Sequence, residues 1–222
     1  MDMQRHQSGF TLIEISIVLV IIGLILGGAL KGQELIQTAK VRSTINQLDS
    51  VKAAFYAFQD RYRALPGDYL QAVNNLPNAT ILGVANGEGD GVIDNNAERG
   101  QVWLQLSVAG FLTGDFNGNA AANNWTCPAT TCLSNAFSGT MMLSSGSEAG
   151  GTTGTSHELR TGRRIPVNIV SEIDRKIDDG VPTTGTFQAG QTLNLASCVT
   201  GAVWNLNTAN PQQNCGGVIV GL

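Results

Sequence analysis

The run from Phe10 to Leu30, FTLIEISIVLVIIGLILGGAL, constrains this chain most, and Glu14 is its single charged residue. At about 1.5 Å of rise per residue, a helix of that length crosses the hydrocarbon core of a bilayer. A carboxylate in hydrocarbon is costly, from roughly 3 kcal/mol on insertion scales to above 10 in simulations. Glu14 therefore asks for a compensating role. The preceding segment, MDMQRHQSG, is short and polar, with Arg5 and, when protonated, His6 as its positive residues. Lys31, Lys40 and Arg42 follow the run, so counting positive charges does not set the orientation.

Beyond Lys31 the apolar pattern continues. Leu35, Ala39, Val41, Ile45, Leu48, Val51, Phe55, Phe58 and Tyr62 follow mostly at spacings of three and four, the stripe of an amphipathic helix. No proline interrupts residues 10–65, and Pro66-Gly67 ends the pattern. The spacing predicts one helix from Phe10 to about Arg63, roughly 80 Å long. Its first half is apolar all round, and its second half needs a globular partner along one face. Three readings of the first half compete: a cleavable secretory signal with Gly27-x-Ala29 as cleavage site, a plain membrane anchor, and a segment in which Glu14 has a specific task. Nothing in the pattern marks a break between the halves.

The hexapeptide Gly9-Phe10-Thr11-Leu12-Ile13-Glu14, followed by an unbroken apolar run, resembles the processing site of type IV pilins and type II secretion pseudopilins. The likeness extends over residues 1–63. It implies cleavage between Gly9 and Phe10 by a prepilin peptidase, then N-methylation of Phe10. It also gives Glu14 a task. Cleavage creates an ammonium at Phe10, one helical turn away, and pairing with that group or a neighbour's copy relieves the buried charge and sets the axial register of assembly. Many type IV pilins carry a proline in the membrane half; this chain has Gly23, Gly27, Gly28 and Gly32 instead. Those sites weaken the helix by about 1 kcal/mol each relative to alanine and suit close helix packing. Pilus and pseudopilus subunit both remain open.

The rest of the chain has the length of one ordinary soluble domain. The chain as a whole has 27 glycines and 14% charged residues, which suits a loop-rich extracytoplasmic β domain, and its net charge of −4 offers no basic footprint for nucleic acid. Four cysteines, Cys127, Cys132, Cys198 and Cys215, predict two disulfides in an exported chain. The local pairing, Cys127–Cys132 and Cys198–Cys215, is one of three; each pair brackets a short polar segment. The spacings lack the Cys-x2-Cys of usual zinc sites. The fold class is α+β: a long N-terminal helix packed on a small antiparallel sheet. The predicted division is a leader over residues 1–9, a membrane half over 10–32, an amphipathic half over 33–64 and a globular domain over 65–222.

Within that domain, NGEGDGVID over residues 86–94 places Asn86, Glu88, Asp90 and Asp94 at near-alternate positions, similar to the first places of a calcium loop, with Gly91 at the turn. Glu98 lies one place beyond the usual final glutamate. Some pseudopilins bind calcium in a C-terminal loop, so calcium is the one cofactor the reading admits; a plain polar turn is the alternative. TGDFNGN, residues 113–119, is a second acidic turn. Residues 97–109 predict a helix with Trp103 in the core and Gly110 as cap. Residues 144–156 predict a loop. Residues 164–170, 192–199 and 216–222 predict strands, and residues 171–179 a short helix between Ser171 and Gly180. Two histidines, His6 and His157, and no nucleophile, phosphate-loop or dinucleotide motif give no basis for an enzyme; Ser156-His157-Glu158 is merely adjacent in sequence.

The resemblance implies a structural subunit held in the inner membrane with a periplasmic domain, then moved into a filament. Its implied partners are copies of itself or other pilins, the prepilin peptidase, and the assembly platform with its ATPase. The other class left open is a membrane-anchored or secreted binding protein that does not polymerise.

Overall fold

The structure, a computed structural model, describes residues 11–120, 127–146, 156–190, 195–206 and 212–222. One helix, α1 (Leu12–Tyr62, 51 residues), fulfils the long-helix expectation to within two residues at its N-terminal end. It is long and apolar enough to cross a membrane. Arg63 ends it in a left-handed conformation, φ 53°, donating its N–H to the Gln59 carbonyl. The chain forms two compact units, residues 1–39 and 40–222, with the boundary inside α1.

In the first unit the large apolar side chains from Leu12 to Ile36 are 46–92% exposed. In the second, Val41, Thr44, Leu48, Val51, Ala54, Phe55 and Phe58 are buried. The predicted stripe is therefore corrected at its start: Leu35 and Ala39 are exposed, and core partners begin at Val41. From there the three-and-four spacing works as expected, with Ile45 and Tyr62 half-buried against the same core.

Two single-turn helices follow, α2 (Ala72–Asn75) and α3 (Ala79–Leu82), then α4 (Asn96–Val108). Asn95 caps α4 by accepting the Glu98 N–H, which is why the helix starts where a polar turn meets an apolar run. Trp103 is fully buried, and Gly110 follows the helix end at φ 81°, where a Cβ would be disfavoured.

The sheet is built from β1 (Met142–Ser145), β2 (His157–Arg160), β3 (Phe187–Ala189) and β6 (Gly217–Val220), in spatial order β1-β2-β6-β3 with antiparallel pairs throughout. Its register aligns Leu143, Leu159, Ile219 and Phe187 in one row across the strands. All four are buried in the core that also holds Phe55, Phe58, Trp103 and Ile173. Long helix and small antiparallel sheet together make the fold α+β, as the sequence predicts.

Of the three predicted strands, residues 216–222 hold as β6. Residues 164–170 do not: Ile165 makes a single bridge to Cys215, and from Val167 the chain is helical in α5 (Val167–Ile177). Its β-branched residues suggested a strand, but Val167, Val170, Ile173 and Ile177 repeat with helical spacing, and Pro166 supplies the start. The predicted helix over 171–179 is thus the second half of α5. Residues 192–194 lie outside the described set. Leu195–Cys198 form one helical turn, α6, before the hairpin of β4 (Val199–Thr200) and β5 (Val203–Trp204), which turns through Gly201 at φ 62°. Of the predicted loop over 144–156, residues 147–155 also lie outside the described set.

Candidate functional site

Thr11 and Glu14 build the first turn of α1. The Thr11 backbone N–H donates to Glu14 Oε2 at 2.8 Å, and the Thr11 hydroxyl donates to the same oxygen at 2.7 Å. In return the Glu14 N–H donates to Thr11 Oγ1 at 3.3 Å. This is a reciprocal cap in which two donors at the helix start are satisfied by one carboxylate. The carboxylate is also placed where the helix dipole favours negative charge. The sequence reading treated Glu14 through its charge and missed this role, although Thr-x-x-Glu ahead of an apolar run is a legible signal. Gly9 and Phe10, the residues of the predicted cleavage and methylation, lie outside the described set.

The second candidate is the acidic loop. The structure does not bring its five predicted ligands together. Glu88, Asp94 and Glu98 each place an oxygen within 4.8 Å of the others. Asn86 Oδ1 instead accepts the Val73 N–H, and Asp90 Oδ1 accepts the Val92 N–H in its own turn. The loop's organiser is Asp68, which the sequence reading did not single out: its carboxylate accepts the N–H groups of Gly89, Asp90 and Gly91 at 2.6, 3.3 and 2.8 Å. Glu98 accepts the N–H groups of Glu88 and Asp94 at 3.4 and 3.3 Å. Burial holds the Glu98 carboxyl above the usual carboxylate range, against those hydrogen bonds and with a smaller push from Asp68 and Glu88. Calcium takes six to eight oxygen ligands. Three carboxylates supply part of that set, and two of them also accept N–H donors, Glu98 from two backbone groups and Glu88 from the Asn95 amide. Hydrogen bonds close this loop.

Gly87 shows how tightly the loop is laid on its support. A Cβ there would sit 2.3 Å from the Asp68 backbone, so residues 67–68 and 87 are in backbone contact that only glycine permits.

The cysteines pair locally, Cys127 with Cys132 and Cys198 with Cys215. The second bridge joins the end of α6 to the residue that pairs with Ile165, just ahead of β6. Trp204, inside the bridged loop, donates its indole N–H to buried Asp174 at 2.7 Å. Burial raises the Asp174 carboxyl above the ordinary value, while the bonds from Trp204 and Gly180 oppose the shift. Asp178 and Asp179 complete a second trio of carboxylates, but they also serve the local backbone: Asp178 accepts the Phe187 N–H and Asp179 the Val181 N–H. His157 and Glu158 are consecutive on β2 and so project to opposite faces, which leaves no assembled triad. The His157 ring lies 5.8 Å from that of Phe55, and burial lowers its pKa below the ordinary histidine value.

Residues 4–30 match the family model described as the prokaryotic N-terminal methylation motif, the signal carried by type IV pilins and pseudopilins. No curated protein and no solved structure matches the chain. The motif points to a structural subunit of prepilin type, and with the apolar half of α1 it fits a single-pass membrane anchor.

Proposed function

We propose that the chain is a prepilin-like subunit of a type IV pilus or a related filament, the type II secretion pseudopilus included. In this reading residues 1–9 are the leader, which a prepilin peptidase removes between Gly9 and Phe10, and Phe10 is then N-methylated. Residues 10–32 anchor the subunit in the inner membrane and later line the filament core. Residues 33–64 form the helix's amphipathic half, and residues 65–222 form a periplasmic domain. Subunits leave the bilayer to join copies of this chain or other pilins on an assembly platform.

The match at residues 4–30, running unbroken into the exposed apolar half of α1, carries this reading. The cap supports it further, because it fixes Glu14 in the turn next to Phe10. A new ammonium there meets a carboxylate that is already ordered, and matching the two is cheaper than leaving either alone in hydrocarbon.

Glu14→Ala tests the register. The variant should be processed to a chain that starts at Phe10 with an added methyl group, by mass analysis, yet be absent from sheared filaments. Normal incorporation would refute the register argument. A mature chain starting near residue 30 would instead favour a secreted binding protein.

A further inference from the structure

The unit over residues 40–222 differs in charge between the two ends of its stretch of α1. At the end where the chain enters, residues 40–48 carry Lys40 and Arg42 and no acidic residue. The Lys40 ammonium lies 4.9 Å from the centre of the Phe137 ring, and Gln47 donates to the Ser134 carbonyl. Asn135 in turn donates to the carbonyls of Thr161 and Arg163 and accepts the N–H groups of Phe137 and Gly139. Loops 134–140 and 161–164 are thereby fixed beside this part of α1, and neither contains an acidic residue. Arg42 and Arg164 are exposed at this end.

The far end of the stretch has the opposite sign. Between Asp60 and Arg99 six carboxylates stand against three arginines. Arg63 already lies 3.6 Å from Asp60, and Arg61 lies over the Tyr62 ring. Arg99 is buried and feels Asp94 and Glu98. The Tyr69 ring meets those of Phe58 and Tyr62, and its neighbour Asp68 gathers the Gly89, Asp90 and Gly91 N–H groups. Glu88, Asp90 and Asp94 are therefore held, exposed, at the level where α1 ends. β2 connects the two levels. It starts at His157, against the Phe55 ring and the Gly91 backbone, and the chain runs from it into the loop 161–164.

We propose that the acidic end of one copy docks on the basic end of a second copy displaced along α1 by about 27 Å, the rise from Arg42 to Asp60. The inference rests on the filament reading above. A contact between unlike surfaces of identical chains leaves one surface free at each end, so it propagates. Charge sets the stagger. Copies at equal height in a bilayer bring like ends together and repel, whereas a copy shifted lengthwise meets the opposite sign.

Recovery of the full chain in sheared filaments tests the contact, with the melting temperature of each variant in detergent as the check on folding. Arg42→Glu with Arg164→Glu reverses two exposed side chains and should cut recovery at least about tenfold at an unchanged melting temperature. Glu88→Lys with Asp94→Lys should do the same. The chain with all four changes exchanges the signs of the two ends and should return to within about threefold of wild type, a rescue that damage to the fold would not show. Arg42→Gln with Arg164→Gln removes the charges without reversing them, and a loss of about threefold is expected. Undiminished recovery of both reversed pairs would overturn the contact. Loss without rescue in the chain with four changes would assign the partner surface to a different subunit and overturn self-docking. Wild type absent from filaments although processed at Phe10 would overturn the filament reading, and this contact with it.

Discussion

The two halves of α1 share one backbone and obey different rules. From Leu12 to Ile36 large apolar residues point in every direction and stay exposed. From Val41 to Phe58 they occupy one stripe and are buried. The same secondary structure thus rests on two sources of stability. The first half relies on local hydrogen bonds, its cap and the apolar medium its surface demands. The second half relies on a core that includes strands and helices more than a hundred residues away.

That contrast is sharpest for truncation of a core side chain. Phe58→Ala removes a fully buried ring that meets Tyr62, Tyr69 and Phe111. It should cost about 3–5 kcal/mol, read by urea unfolding of the full chain in detergent micelles. Leu19→Ala, 63% exposed before the change, should shift the same transition by less than about 0.5 kcal/mol. Equal effects would mean that the two halves do not differ as described.

Asp68→Asn probes the loop that packs beside the buried half. It keeps the shape but loses the charge that accepts three N–H groups. A loss of about 1–3 kcal/mol is expected, with faster amide exchange at Gly89 and Gly91.

A smaller effect comes from His157 against Phe55. The folded state binds its proton less readily than the unfolded chain, because burial lowers its pKa from 6.5. Its contribution to stability is therefore complete above that value and declines as pH falls below it, by at most about 1.4 kcal/mol per pH unit. Glu98 and Asp174, raised by burial, contribute with the opposite sign at lower pH. The difference between wild type and His157→Asn isolates the histidine: the variant should lose less stability between pH 7 and 5.5. An identical profile would remove His157 from the account.

Smallest of all, Thr11→Ala deletes the hydroxyl that both donates to Glu14 and accepts from it. It should fray the first turn at a local cost of about 1 kcal/mol. Amide exchange at residues 12–15 should quicken while the unfolding transition of residues 40–222 stays where it was.

The comparison also explains what was legible. Long periodic segments announce themselves, so α1 and α4 were readable from spacing, whereas β6 was read from its β-branched composition. Strands β1 to β3 are three or four residues each, and sequences such as HELR and MLSS carry no alternation of polar and apolar residues, because positions on both faces of this sheet are buried. A strand that short is defined by its neighbours. The same holds at the acidic loop. The carboxylates inside residues 86–98 were visible, but Asp68, which accepts the backbone N–H groups of Gly89, Asp90 and Gly91, lies outside that window and is joined only by tertiary contact. Residues 164–170 misled through composition, since β-branched side chains there serve a helix whose spacing outweighs their preference.

The membrane half carries one further lesson. A methyl group added at Gly23, Gly27, Gly28 or Gly32 would meet no atom within 4 Å apart from the adjoining residues and the helix's own backbone. Alanine would fit at each and would firm up the helix by about 1 kcal/mol per site in water. A lone molecule gains no contact from those four vacancies and loses rigidity to them, so any advantage they confer belongs to molecules in company.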